Sequence, residues 1–118
     1  MRAYSTSLDG SVWEQVDARL KKKVVNGRNM TVTRYSFSPD GVFPHHVHDQ
    51  EQITYVLAGD VRFVMDREDH SLRVGDVIVI PPGVPHRAIA GSAGAEVLSV
   101  VAPARTEGRG VEYLSERA

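Results

Sequence analysis

Three histidines and a glutamine stand at spacings that suit one metal ion. The stretch from Pro44 to Gly59 reads PHHVHDQEQITYVLAG, with His46, His48 and Gln52, and a second stretch, Gly75 to His86, adds His86. Successive side chains of an extended strand point to opposite faces, so His46 and His48, two apart, project into the same space. Gln52 shares their parity; if the strand breaks over Asp49 to Glu51 and restarts at Gln52, the amide oxygen returns toward the imidazoles from a neighbouring strand. His86 would supply a third nitrogen. His45 has the opposite parity and would enter the site only through a bulge. His70 lies in a polar turn and reads as surface.

The chemistry follows from the donor types. The chain has no cysteine, so no thiolate or disulfide is available and a metal must be held by nitrogen and oxygen. Three neutral imidazoles and a neutral amide leave the charge of a divalent ion uncompensated, and such a site attracts anions. Four protein ligands on an ion that prefers six leave two positions for water or for a chelating carboxylate, enolate or 2-keto acid. Mn, Fe, Co, Ni and Zn all suit this set.

The elements that must position these residues read as strands. Asp9-Gly10 marks a turn before an edge strand around VWEQV, and Val24-Val25 followed by Asn26-Gly27 reads as a strand ending in a hairpin turn. Residues Met30 to Phe37 alternate with the β period, and Ser38-Pro39-Asp40-Gly41 turns the chain toward the first histidine. ITYVLAGDVRFVMD reads as a hairpin closing at Ala58-Gly59-Asp60, with Tyr55 facing out of the barrel. Ser71 to Val74 and Val77 to Ile80 follow as strands, and His86 to Ala90 and Glu96 to Ala102 flank a turn at Gly91 to Gly94. The tail from Arg105 is polar, and a frayed end or a short helix is expected there. Strand and turn signals in this rhythm, without a sustained helical period, predict an all-β barrel or sandwich.

At 118 residues with 42% apolar content the chain suits one domain spanning 1–118. A formal net charge of -1 with mixed signs gives no case for nucleic acid or a membrane surface as partner. Lys21, Lys22 and Lys23, the one basic run, read as a solvated strand end. The first residues, MRAYSTSLDGSVW, lack the apolar core of a secretory signal, and no apolar run is long enough to cross a bilayer, so a cytoplasmic location is expected.

The two stretches resemble the cupin superfamily, whose first motif is G-x5-H-x-H-x3,4-E-x6-G and whose second is G-x5-P-x-G-x2-H-x3-N. Gly41, His46, His48, Gln52 and Gly59 occupy the first, with one residue fewer before His46 and Gln in place of Glu. Gly75, Pro81, Gly83 and His86 occupy the second, with Ala90 where Asn is usual. The resemblance implies a double-stranded β-helix, or jelly roll, with the metal inside one open end and the barrel motifs within about 30–103.

Within the superfamily, EQITYVLAG, the three-His-plus-Gln set, the VWEQV opening and the VVAPAR ending resemble the small cupins of pectin and alginate breakdown, which convert unsaturated uronates to linear keto forms. That resemblance implies a substrate-anion contact at Arg105 and an aspartate acid/base six residues earlier. The earlier position is Ser99, which cannot serve as a carboxylate base at neutral pH. The expected function is therefore a metal-dependent isomerase, cyclase or lyase acting on an anionic, enolisable small molecule such as a sugar acid or polyketide, as in polyketide-cyclase-like cupins. A cupin dioxygenase and a non-catalytic metabolite-binding cupin are the alternatives. A homodimer is expected, because the VWEQV edge and the apolar strand Ile53 to Leu57 offer a sheet edge and face to a second copy.

Overall fold

The computed structural model describes residues 2–105 and 110–114. Among the described residues nine strands run in order: β1 (Glu14–Asp17), β2 (Leu20–Asn26), β3 (Thr31–Phe37), β4 (Val42–Val47), β5 (Glu51–Met65), β6 (Asp69–Arg73), β7 (Val77–Ile80), β8 (His86–Ala102) and β9 (Glu112–Tyr113). All pairings among them are antiparallel. The expected all-β jelly roll is the observed fold, and among the described residues no helix is long and apolar enough to cross a membrane.

Two long strands organise it. The C-terminal half of β8 pairs with β3 on one side and with the start of β5 on the other, and β5 passes the ladder on to β7. The N-terminal half of β8 lies between β4 and the end of β5, which in turn pairs with β6. β5 and β8 therefore run from one leaf of the barrel into the other, side by side. The expected hairpins at Ala58-Gly59-Asp60 and at Gly91 to Gly94 do not form; both segments bend without reversing. Gly59 and Gly94 adopt φ of 69° and 79°, a region L side chains rarely enter, and a Cβ on Gly59 would meet the Gly94 carbonyl oxygen at 2.0 Å. The same glycine chemistry serves a tight turn or a shared corner, and here it makes the corner.

The core lies between the leaves. Tyr35, Phe37, Val56, Ile78, Ile80 and Val97 face Phe43, Val61, Phe63, Ala88 and Ala90, all buried, and each large side chain so placed contributes about 1.5–3 kcal/mol. Along Val77 to Ile80 burial alternates: Ile78 and Ile80 point inward while Val77 and Val79 are exposed. Tyr55 lies on the same outer face, as its parity predicts.

The N-terminal segment caps the outer face of β2 and β3. Lys23 Nζ donates to the Asp9 carbonyl at 2.7 Å and, with Lys21, sits over the Trp13 ring. Lys23 is thereby buried rather than solvated, its charge met by a carbonyl and an aromatic face. In the tail, residues 106–109 and 115–118 lie outside the described ones; residues 112–113 form β9 against β4 rather than a frayed end or helix.

Candidate metal centre

A bulge aims the first two histidines. β4 pairs Phe43 with Ala88 and His46 with His86, so Pro44 and His45 together oppose the single residue Arg87. The extra residue shifts the inward parity by one, and Phe43, His46 and His48 are all buried. Gln52 enters at the start of β5, paired across to Ile80 and Val101, and His86 opens β8 after the Pro81-Pro82-Gly83 turn. His45 is only half-buried and stays out of the cluster, and His70 lies on β6 instead of in a turn, with Nε2 3.6 Å from a Glu68 carboxylate oxygen.

His46, His48 and His86 converge so that one ligand nitrogen from each lies within 4.8 Å of the others. Their ring centroids are 4.1 Å apart for His46 and His86, 5.1 Å for His48 and His86, and 5.5 Å for His46 and His48. Each Nδ1 is held by a main-chain carbonyl: Pro44 for His46 at 2.7 Å, Gln50 for His48 at 3.0 Å and Val84 for His86 at 2.8 Å. A carbonyl only accepts, so each Nδ1 carries the proton and each Nε2 is left with a lone pair. This is the tautomer a metal-binding imidazole needs, fixed before any ion arrives.

The fit to a cation is visible in the polar atoms. His86 Nε2 is buried without a hydrogen-bond partner. His48 Nε2 is 3.0 Å from Gln52 Oε1, while the Gln52 amide nitrogen donates to Thr54 Oγ1 at 2.9 Å. Two lone-pair-bearing atoms thus face each other and repel, unless a cation draws both or the ring is protonated. Protonation is opposed: burial lowers the His48 pKa, with Arg105 adding to the effect. Burial also pushes His46 down to about 3, the neighbouring His86 contributing, and pushes His86 down to about 4. Two ligands set at right angles, each about 2.1 Å from one ion, would stand about 3.0 Å apart, the separation seen here. The three imidazoles can therefore hold a divalent metal, and the amide oxygen is placed beside them.

The site opens onto a cavity of about 30 Å³ bordered by His46, Gln52, His86, Ser99, Arg105 and Tyr35, with aromatic walls from Phe37, Phe43 and Phe63. The volume holds roughly two waters. No carboxylate is among its described lining residues. Arg105 is anchored by its main-chain N–H, which donates to Thr31 Oγ1 at 2.7 Å, and its Nη1 donates to Tyr35 Oη at 3.4 Å. Arg105 Nε is buried without a partner. Burial raises the Tyr35 pKa above its ordinary value, against a lowering by Arg105, so the phenol keeps its proton at neutral pH.

Tyr35, Thr31 and Thr54 were not among the residues expected at the site. Thr54 has the parity of Gln52, but its contact with Ser99 at 2.7 Å depends on the register that places Thr54 opposite Ser99 across β5 and β8. Only knowledge of which strands pair would have found it.

An antiparallel jelly roll carrying inward histidines at its open end defines a metal-binding cupin barrel. The cupin domain family matches residues 33–101, and the chain belongs to it. Among solved structures, it is similar to an RmlC-like cupin from Shewanella frigidimarina, with a TM-score of 0.81, 21% identity and coverage of 90% of this chain and 96% of that one. It is also similar to KdgF from Halomonas sp., with a TM-score of 0.75, 25% identity and coverage of 80% and 90%. Among curated proteins it is 39% identical over 61 residues to acireductone dioxygenase 4 of Arabidopsis thaliana, a match covering 48% of this chain and 33% of that protein. The match thus spans about a third of that relative's length.

Proposed function

We propose that the protein is a metal-dependent cupin enzyme in which His46, His48, Gln52 and His86 hold one divalent ion and Arg105 binds the anionic end of a small chelating substrate. The observation that carries this reading is the convergence of lone pairs at His48 Nε2, His86 Nε2 and Gln52 Oε1 in a buried site where imidazolium is disfavoured. When bound, the ion would supply Lewis acidity to the oxygens of a chelating substrate. The chain supplies the rest. The carbonyls of Pro44, Gln50 and Val84 keep the imidazoles in one tautomer. Arg105 Nε, without a protein partner, is available to a carboxylate or enolate oxygen, and Tyr35 holds the guanidinium toward the cavity. Phe37, Phe43 and Phe63 restrict water there, which strengthens every charge interaction.

The reaction best served is oxygenation of an enediol or enolate that is already anionic when it binds. Isomerisation through an enol requires a base to carry a proton, and the described cavity wall has no carboxylate, with Ser99 where the pectin-breakdown cupins would place one. The partial match to an acireductone dioxygenase supports the same reading. Isomerase or lyase chemistry is the second reading, favoured by the likeness to KdgF. Oxygen uptake separates them: protein loaded with Fe, Mn, Co, Ni or Zn is assayed with enediols, uronates and 2-keto acids in air and under argon. Turnover that stops under argon supports oxygenation, and turnover indifferent to oxygen supports isomerisation. Binding of all these acids without turnover would leave a metabolite-binding cupin.

The enzyme is proposed to act as one cytoplasmic domain and as a homodimer. A row of apolar residues in register, Val25, Val32, Val100, Ile53 and Val79, crosses the outer sheet face. Ile53, Tyr55, Val77 and Val79 are all 44–56% exposed, which suits a face covered by a second copy.

A further inference from the structure

Gln52, Thr54 and Ser99 form a chain of hydrogen bonds whose direction can be read from one end. Gln52 Oε1 is turned to the histidines, 3.0 Å from His48 Nε2, so its amide nitrogen faces Thr54 Oγ1 at 2.9 Å. An amide nitrogen only donates, and Thr54 therefore accepts there. The Thr54 hydroxyl proton still needs an acceptor. Thr54 is fully buried, and Ser99 Oγ lies 2.7 Å from its hydroxyl; leaving that proton unmet in the core would be costly. Thr54 thus donates to Ser99. Having accepted, Ser99 has its own proton free to point away from Thr54, on the side where it borders the cavity with Arg105, His46 and His86.

We propose that Ser99 is a substrate-contacting hydrogen-bond donor, oriented by Thr54 as a positioning residue, and that the pair selects a ligand oxygen that can only accept, a carboxylate or enolate beside Arg105. The proposal rests on the reading of Gln52 as a ligand to the ion. It also gives the glutamine a specific purpose. With a glutamate at position 52, the second carboxylate oxygen would accept from Thr54, Thr54 would accept from Ser99, and Ser99 would present lone pairs to the cavity. The amide therefore sets the polarity of a group it does not touch.

Two measurements test this. Neutron diffraction from zinc-loaded crystals grown in heavy water should place the Thr54 deuterium toward Ser99 Oγ and the Ser99 deuterium away from Thr54; a Ser99 deuterium aimed at Thr54 overturns the proposal. Calorimetry of the zinc-loaded protein with pyruvate should show Ser99→Ala weakening binding about tenfold in the native background, the scale of one hydrogen bond to an anion. In the Gln52→Glu background the same substitution should have little effect. Equal losses in both backgrounds, or none in the native one, overturn it. Thr54→Val should weaken zinc and pyruvate binding about tenfold each, and Thr54→Ser should restore both, which a purely structural role would not require. Native protein that retains no zinc would refute the metal reading, whereas a zinc-loaded map with the Ser99 deuterium on Thr54 would overturn the hydrogen-bond direction alone.

Discussion

Metal-free protein should lose stability between pH 8 and pH 5, in a window set by the buried histidines. Burial holds His46 at about 3 and His86 at about 4, against 6.5 when unfolded. Because the folded values are depressed, the unfolded chain takes up the protons first. Stability is complete above 6.5 and is lost as pH falls toward 4 and 3. At pH 5 each ring is kept neutral about 1.5 pH units below its unfolded value, which at 1.36 kcal/mol per unit is about 2 kcal/mol. The two together approach about 4 kcal/mol, a large share of the roughly 5–15 kcal/mol that holds a domain folded. Most carboxylates titrate below this window, which isolates the imidazoles. Urea unfolding of chelator-treated protein at pH 8 and pH 5 measures the loss directly, and His46→Phe should reduce it by about 2 kcal/mol. Equal pH dependence in native and His46→Phe protein, or titration of His46 and His86 near 6.5 by NMR, would refute the reasoning.

Other perturbations separate the parts of the site. Zinc at a hundred times its Kd should raise stability by about 2.7 kcal/mol, an effect His48→Ala abolishes and His70→Ala spares, read as the melting temperature with and without chelator. Gln52→Glu adds a negative ligand and should hold zinc at least as tightly while binding pyruvate several-fold more weakly; calorimetry of the fully loaded proteins checks both. Val79→Glu, on the bare outer face, should turn the expected dimer into a monomer by light scattering without altering the zinc stoichiometry, and a native monomer at high micromolar concentration would refute the dimer.

What the sequence made legible follows from the β period. His46, His48 and Gln52 share parity, and that relation survives in the structure because the bulge falls before them, at Pro44 and His45. The bulge itself carried no signal distinct from an ordinary X-Pro step. Gly59 and Gly91 to Gly94 were legible as places where the backbone changes course, but a reversal and a corner use the same residues, and only the pairing of β5 with β8 along both halves decides between them. Lys23 was unreadable for a similar reason: its burial depends on Asp9 and Trp13 folding back over β2. The Arg105 contacts with Thr31 and Tyr35 join residues about seventy positions apart, a distance no local pattern spans.

The most direct measurement of the central claim is the anomalous diffraction of a crystal of protein loaded with zinc and then dialysed against metal-free buffer. One ion per chain should remain, about 2.0–2.2 Å from Nε2 of His46, His48 and His86 and from Oε1 of Gln52. An empty cluster, or zinc bound only at surface groups such as His70, would contradict it.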